Sequence, residues 1–144
     1  MLAPDDTIPL DHLSIEVLIR RTVDEVYAFA HQPPNFAQWA SGLGGDLKRD
    51  RRHWRALGPE GWITVRFSPP NPYGVLDHWV SPDGADEIYI PLRVIAVGQN
   101  TLVSLILLRS AEMTDDTFAR DAAWVRRDLE TLKVILETSA PPPA

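Results

Sequence analysis

A long amphipathic helix is the clearest element that the pattern of apolar and polar positions predicts. Over residues 114–138, apolar side chains recur at spacings of four, three, four, three and four, which places them on one helical face. Thr114 or Asp115 can cap the first turn. The stripe consists of Phe118, Ala122, Val125, Leu129, Leu132 and Leu136. Burial of this stripe would contribute on the order of 10 kcal/mol before conformational entropy is counted, so the domain should not fold without the helix.

The first third of the chain predicts one strand followed by two short helices. Apolar residues alternate over residues 13–20, as expected of a strand with one buried face. Thr22 is a suitable cap for a helix that follows, and two acidic residues occupy its first turn. Pro33 and Pro34 end that helix and precede a second one at residues 35–40, after which the glycine-rich stretch 41–45 predicts a flexible joint.

The middle of the chain has the alternation of short strands and turns that is typical of an antiparallel β-meander. Short β-rich runs alternate with turns that contain glycine, proline and aspartate. The predicted strands cover residues 46–49, 53–57, 62–68, 75–80, 86–97 and 101–109. The fold class is therefore α+β, with a curved antiparallel sheet of six to seven strands wrapped around the long C-terminal helix. Because one helix cannot fill the whole concavity, we expect a cavity beneath its N-terminal half, around Phe118, Asp121, Ala122 and Val125.

Length and composition indicate one globular domain. Of the 144 residues, 44% are hydrophobic and 24% charged, which is ordinary for a folded chain. We expect the domain to cover residues 12–138, with an extended arm at 1–11 and a disordered tail at 139–144. The absence of cysteine excludes disulfides and thiolate chemistry and suits a reducing compartment. No apolar run reaches membrane-spanning length and the start does not resemble a signal peptide, so we expect a cytoplasmic protein without membrane insertion.

The charge balance argues against nucleic acid as a partner. The formal net charge is −6, whereas proteins that grip phosphate backbones usually carry a basic excess. One basic cluster is interrupted by an aspartate, and a solvated strand and loop explain it better than a binding patch. It consists of Lys48, Arg49, Arg51, Arg52 and Arg55.

The richest polar run is Asp77-His78-Trp79. Histidine is the side chain most able to exchange a proton near neutral pH. Neighbours on a strand point to opposite faces, so Asp77 and Trp79 share one face while His78 lies on the other with its apolar neighbours. An inward His78 would be an acid/base group or an anchor for a polar ligand atom, and an outward or hydrogen-bonded His78 would be structural.

A charged residue also interrupts an apolar strand at Arg93. Its burial without a partner would be costly, so it either projects to solvent or pairs with an acid such as Asp77, Asp121 or Glu16. Alternatively it could hold a carboxylate or phenolate ligand. Tyr89 has the same parity along the strand and should point to the same side.

Aromatic side chains are the main supply of pocket contacts. Five tryptophans are many for this length, and each is more often core than ligand contact, although one or two should reach any pocket that exists. The four histidines show no metal-ligand spacing and no phosphate-binding loop appears, so we expect neither metal nor cofactor. The expected ligand-binding residues are Trp39, Trp54, Trp62, Trp79, Tyr89, Phe118, Asp121 and Val125.

Several motifs resemble the START-like (SRPBCC) superfamily, in particular its polyketide cyclase/dehydrase-like subgroup, whose architecture is called the helix-grip fold. Three segments carry the resemblance: a strand-to-helix entry, the end of a short helix and the C-terminal helix. They read Ile19-x-x-Thr22-x-Asp24-Glu25-Val26-Tyr27, Phe36-Ala37-Gln38-Trp39 and Asp128-Leu129-x-x-Leu132-Lys133-x-x-Leu136-Glu137. Segments 71–78 and 91–94 are similar to a bacterial subgroup within it.

The resemblance implies several functions and cannot choose among them by fold alone. The first is binding of a small hydrophobic or aromatic molecule, such as a lipid, in the cavity. The second is a cyclase or dehydratase with His78, Asp77 or Arg93 as proton handlers. The third is a protein–protein module, in which the apolar strand 101–109 would support a homodimer.

Overall fold

The computed structural model describes residues 11–40, 47–58 and 61–139. Within these ranges the chain forms eight strands and three helices. They are β1 (His12–Ile19), α1 (Val23–Ala30), α2 (Pro33–Trp39), β2 (Lys48–Asp50), β3 (His53–Gly58), β4 (Gly61–Phe67), β5 (His78–Pro82), β6 (Ile88–Ile90), β7 (Leu92–Val97), β8 (Asn100–Leu108) and α3 (Asp115–Thr138). The joint expected at 41–45, nearly all of the N-terminal arm and all but the first residue of the C-terminal tail lie outside the described residues.

All strand pairs are antiparallel, and they fall into two sheets. One has the order β1-β8-β7 and the other the order β2-β3-β4-β5-β6. This is the α+β helix-grip arrangement that the sequence predicts, with two short helices after the first strand. Since β8 lies between β1 and β7, both of its edges are paired. A homodimer built on this strand would have to use its outer face.

The two sheets meet at a bend near Asp77 and Pro91. Residues 78–80 pair with 88–90 as β5 and β6, whereas Val75 forms a bridge to Arg93 on β7. At the bend the Leu92 amide donates 2.9 Å to the Asp77 carboxylate instead of to a strand carbonyl. The predicted strand 75–80 loses its first residues, because β5 begins at His78, and the predicted strand 86–97 is divided into β6 and β7 at Pro91. Proline favours this break because it has no amide hydrogen to donate to a neighbouring strand. This division raises the strand count from the predicted six to seven to the observed eight.

Helix α3 begins where the sequence predicts. The Thr114 hydroxyl accepts from the Thr117 amide at 3.1 Å, which satisfies one free donor of the first turn. Most of the apolar stripe is buried, and the helix packs along β1. At its far end the Lys133 ammonium donates to the Leu18 carbonyl at 2.6 Å and to Glu137 at 2.8 Å. The Lys133 bonds therefore join the C-terminal end of α3 to the end of β1.

The two short helices close one end of the sheet. Thr22 caps α1 by accepting from the Glu25 amide, as predicted. Helix α2 starts at Pro33, two residues before the predicted start, because proline suits the first helical positions. It buries Phe36 and Trp39. None of the helices in the described parts of the chain is both long and apolar enough to cross a bilayer.

Candidate functional site

A cavity of about 350 Å³ lies between the inner face of the five-stranded sheet, the end of β8, helix α2 and one flank of α3. Its walls are mainly apolar, and polar groups from α3 and from the β5–β6 turn lie among them. Described lining residues include Phe36, Trp39, Ala40, Ile63, His78, Val80, Ile88, Ile90, Leu105, Leu107, Met113, Asp121, Trp124, Val125, Asp128 and Leu129. The fold thus leaves the space that the curved sheet and single long helix predict.

Helix α3 turns mainly one flank of its apolar stripe toward the cavity, together with Leu129 of the stripe itself. The lining positions Asp121, Trp124, Val125 and Asp128 follow the spacing of one helical face, displaced to one side of the stripe. Phe118, predicted from the sequence to contact the ligand, is buried outside the cavity beneath the Arg109 guanidinium, 5.4 Å from its ring centroid. The cavity does lie beside the N-terminal half of the helix.

His78 is the polar group most deeply placed in the cavity wall. Its side chain is 3% exposed, and it packs edge-on against the Phe36 ring with centroids 5.0 Å apart. Its Nδ1 lies 3.1 Å from the Leu76 carbonyl oxygen. A carbonyl only accepts, so Nδ1 carries the hydrogen and Nε2 presents a lone pair. No described residue donates to that lone pair.

Burial holds the His78 imidazole neutral. Loss of hydration lowers its pKa from 6.5 to about 4, although the Leu76 carbonyl and the Asp77 charge act in the opposite direction. The side chain is therefore an acceptor at pH 7. It is a weak base and, without a proton on Nε2, it has no free donor to offer a ligand.

Asp77 points away from the cavity and joins the bend of the sheet. Its carboxylate accepts from the Tyr89 hydroxyl at 2.5 Å, the Leu92 amide at 2.9 Å, and Nε and Nη2 of Arg93, both at 2.9 Å. Burial on its own would raise the carboxyl pKa, but the bonds from Arg93 and then Tyr89 outweigh it and lower the pKa from 3.8 to about 2. The same bonds raise the pKa of Arg93.

Of the acids that the sequence offers as partners for Arg93, the structure therefore selects Asp77. Tyr89 and Arg93 reach the same carboxylate, in agreement with their parity. Neither Asp77 nor Arg93 lines the cavity. Of the three residues considered as proton handlers, only His78 does.

The tryptophans differ in whether they reach the cavity. Trp39 and Trp124 line the cavity, whereas Trp54 and Trp79 do not. Trp79 lies on the outer face between the Arg66 guanidinium, 4.0 Å from its ring centroid, and the Tyr89 ring at 5.3 Å. This follows from strand parity, because Trp79 neighbours the inward His78.

Two residues border the cavity although their rings are engaged elsewhere. Trp62 is half exposed beneath the Arg55 guanidinium, 5.1 Å from its ring centroid. Tyr89 also lines the space, yet its ring stacks on Trp79 and its hydroxyl donates to Asp77. Their rings are consequently poorly placed to contact a ligand inside.

Phe36 and Asp128 line the cavity without having been predicted from the sequence, and Trp124 was considered only as one of five tryptophans that could line a pocket. Phe36 was recognised only as part of a helix motif, although it contacts both Trp39 and His78. The flank 121–124–125–128 has helical periodicity, but its mixture of acidic, aromatic and aliphatic residues does not stand out as a stripe. Trp39 adds a feature that no pattern shows: its indole Nε1 is buried without an acceptor among the described residues.

Comparison with known proteins rests on structure, since no protein-family model and no curated protein matches the sequence. XoxI from Bacillus cereus is 12% identical, with a TM-score of 0.71 over 90% of this chain and 97% of its own. A START superfamily protein from Mycobacterium smegmatis is 11% identical, with a TM-score of 0.68 over 88% of this chain and 97% of its own. The chain has the START-like fold.

A further structural neighbour comes from a biosynthetic locus. DynU16, a protein of the dynemicin biosynthetic locus, is 20% identical with a TM-score of 0.72 over 92% of this chain. The match covers 49% of DynU16, so this chain spans about half of that protein's length. At these identities the likeness establishes the START-like fold and leaves the function to be argued from the cavity.

Proposed function

We propose that this START-like protein binds a small hydrophobic or aromatic molecule in the cavity between the sheet and α3. The observation that carries the proposal is a mainly apolar space of about 350 Å³ with a buried imidazole in its wall, whose Nε2 has no partner among the described residues. Ligand pockets combine predominantly apolar walls with a few polar groups that fix orientation. The occurrence of the fold in DynU16, from a biosynthetic locus, fits a small organic ligand.

The volume limits the occupant. Known small-molecule pockets span about 300–1,000 Å³, so this cavity stands near the lower end. A compact ring system fits that range better than a long-chain diacyl lipid. The rings of Phe36, Trp39 and Trp124 supply flat surfaces against which such a molecule can pack.

The binding proposal can be tested by ligand screening with tryptophan fluorescence. We expect a panel of naphthalenes, quinones, flavonoids, polyketides and lipids to yield compounds that quench emission and raise the melting temperature. Replacement of Trp124 by Phe should remove part of the quenching, whereas Trp79→Phe on the outer face should leave the ligand-induced change intact. Absence of any response across the panel would refute ligand binding.

A cavity-filling pair on α3 separates binding inside the cavity from binding at the surface. Val125→Phe places a larger side chain in the cavity wall, while Val134→Phe places the same side chain at a position that is 58% exposed. We expect Val125→Phe to weaken binding by at least about tenfold, since it occupies ligand volume. Equal effects of the two substitutions would contradict the proposed location.

We also propose, as a second function, acid/base catalysis of a cyclisation or dehydration in the same cavity. The observation that favours it is the free Nε2 lone pair of His78, which can accept a proton from a bound substrate. Asp77 and Arg93 bind each other and lie outside the cavity, so the role falls on His78 alone. Turnover that is lost in His78→Gln while ligand affinity persists would support catalysis, and unchanged turnover would refute it.

A further inference from the structure

We infer that the ligand presents a neutral hydroxyl of the phenol or enol class, and that this hydroxyl donates a hydrogen bond to Nε2 of His78. The inference rests on the proposed function, because it concerns the occupant of the same cavity. It defines the chemical class of the ligand and the orientation in which it enters.

The direction of the hydrogen bond follows from the tautomer. The Leu76 carbonyl occupies Nδ1 at 3.1 Å and requires the hydrogen there, so Nε2 can only accept. A ligand group that meets Nε2 must therefore be a donor. Ketones, ethers and esters have no hydrogen to offer.

The need for a donor follows from burial. His78 is 3% exposed and lies among Phe36, Phe67 and the apolar wall, where Nε2 has no partner among the described residues. A buried acceptor left without a hydrogen bond is unfavourable, because it has lost hydration and gained no partner. A ligand hydroxyl that fills this position recovers that cost on binding, and a methyl group in its place does not.

The same geometry disfavours anionic ligands. A carboxylate cannot donate, and its approach to a lone pair in an apolar wall would add desolvation without a compensating bond. The low pKa of His78, about 4, means that the imidazole does not become a cation at neutral pH to attract it. In the α3 wall Arg120 also lines the space, but its guanidinium pairs with Asp121 at 3.3 Å, and Asp128 adds a further acidic side chain.

The arrangement around His78 also favours a flat molecule. The Phe36 ring stands edge-on to the imidazole at 5.0 Å and lies 4.5 Å from the Trp39 ring, so these three rings form one continuous cluster in the wall. A planar ring packs on such a cluster more closely than a branched aliphatic group. A hydroxyl attached directly to an aromatic ring can reach Nε2 while that ring stays in contact with the cluster.

Three probes of nearly equal shape test the inference: 2-naphthol, 2-methylnaphthalene and 2-naphthoate, titrated by calorimetry at pH 7 into wild type and His78→Phe. The decisive quantity is the ratio of the 2-naphthol affinity to the 2-methylnaphthalene affinity, in which the general hydrophobic contribution cancels. We expect this ratio to fall by about tenfold in His78→Phe, as for loss of one buried hydrogen bond. His31→Phe, whose ring stacks on Tyr27 outside the cavity, should leave the ratio unchanged.

A measurement on the wild type keeps the test independent of whether His78→Phe folds. In ¹⁵N-labelled protein, the non-protonated Nε2 signal of His78 should shift on addition of 2-naphthol and stay in place with 2-methylnaphthalene. The hydroxyl assignment is overturned if the ratio of 2-naphthol to 2-methylnaphthalene affinity is the same in wild type and His78→Phe. It is also overturned if the Nε2 resonance does not shift when 2-naphthol is added. Tighter binding of 2-naphthoate than of 2-naphthol overturns it as well. If none of the three probes binds the wild type, the hydroxyl inference fails, whereas the proposed function fails only if the whole ligand panel gives no response.

Discussion

The bond network of Asp77 provides the sharpest stability prediction. In Asp77→Asn, one carboxylate oxygen becomes an amide group that faces the donors of Tyr89, Leu92 or Arg93. A donor that meets a donor cannot form a hydrogen bond, and the charge that balances the guanidinium is lost. We therefore expect the bend between the two sheets to be destabilised.

The magnitude follows from the carboxyl pKa. A lowering from 3.8 to about 2 corresponds to roughly 2 kcal/mol of folding free energy at neutral pH, since each tenfold change in acidity is worth about 1.4 kcal/mol. The Asp77 side chain is 7% exposed, so water screens its bonds little. Arg93 is 48% exposed and can be hydrated again when its partner is lost, which keeps the expected cost below the roughly 3–5 kcal/mol of a fully buried pair.

The pH dependence distinguishes the charge from the shape of the side chain. Because the pKa of Asp77 is lower in the folded protein, its contribution is complete above pH 3.8 and is lost as the pH falls toward about 2. Urea unfolding should show Asp77→Asn less stable by about 2 kcal/mol at pH 7, with the difference shrinking between pH 4 and 2.

A surface pair supplies the matched control. Asp83 bonds to Arg55 at 2.9 Å but its side chain is 58% exposed, so Asp83→Asn should cost less than about 1 kcal/mol. A difference between wild type and Asp77→Asn that stays constant from pH 7 to pH 2 would refute the reasoning. In that case the loss would come from packing and not from the ionised carboxylate.

Two further pairs of substitutions test the backbone and the core. Gly74 has a φ of +71°, and an added Cβ would overlap the Val94 carbonyl oxygen, so Gly74→Ala should cost roughly 3 kcal/mol through backbone strain and a clash. Gly84 has a similar φ of +76° but lies in open space, so Gly84→Ala should cost only about 1–2 kcal/mol. Equal urea midpoints for the two variants would contradict this. Leu132→Ala in the buried stripe of α3 should lower the free energy of unfolding by about 2–5 kcal/mol, as measured by thermal unfolding. The exposed Val134→Ala should change it by no more than about 0.5 kcal/mol. Similar losses in the two variants would show that the stripe is not the helix's main anchor.

The elements that could be predicted are those with local causes. Helix α3 and its Thr114 cap depend on a repeat and a side chain within a few residues, and both are found as expected. The capped entry of α1 is another example. By contrast, the division of the predicted strand 86–97 at Pro91 depends on where the sheet must bend, which is set by residues on the partner segment around Asp77.

The site was harder to predict because alternation gives only relative directions. The sequence shows that His78 and Trp79 point to opposite faces, but both are aromatic and neither face is purely apolar. Which one enters the cavity depends on the side toward which the sheet curves, and the structure places His78 inside and Trp79 outside. Trp62 borders the cavity as predicted, but its ring lies beneath the Arg55 guanidinium on the outer side, which alternation alone does not show.

The two faces of α3 explain how a small domain can keep an unfilled space. The stripe residues Leu129, Leu132 and Leu136 are buried and fix the helix against the rest of the fold, so folding does not require that the neighbouring flank be packed to full density. Asp121, Trp124, Val125 and Asp128 on that flank line the cavity and can differ in size and polarity at little cost to the helix's anchoring. Stability and ligand choice are therefore carried largely by different sides of one helix, which meet at Val125 and Leu129. Substitutions on the flank should change which molecules bind before they change whether the protein folds.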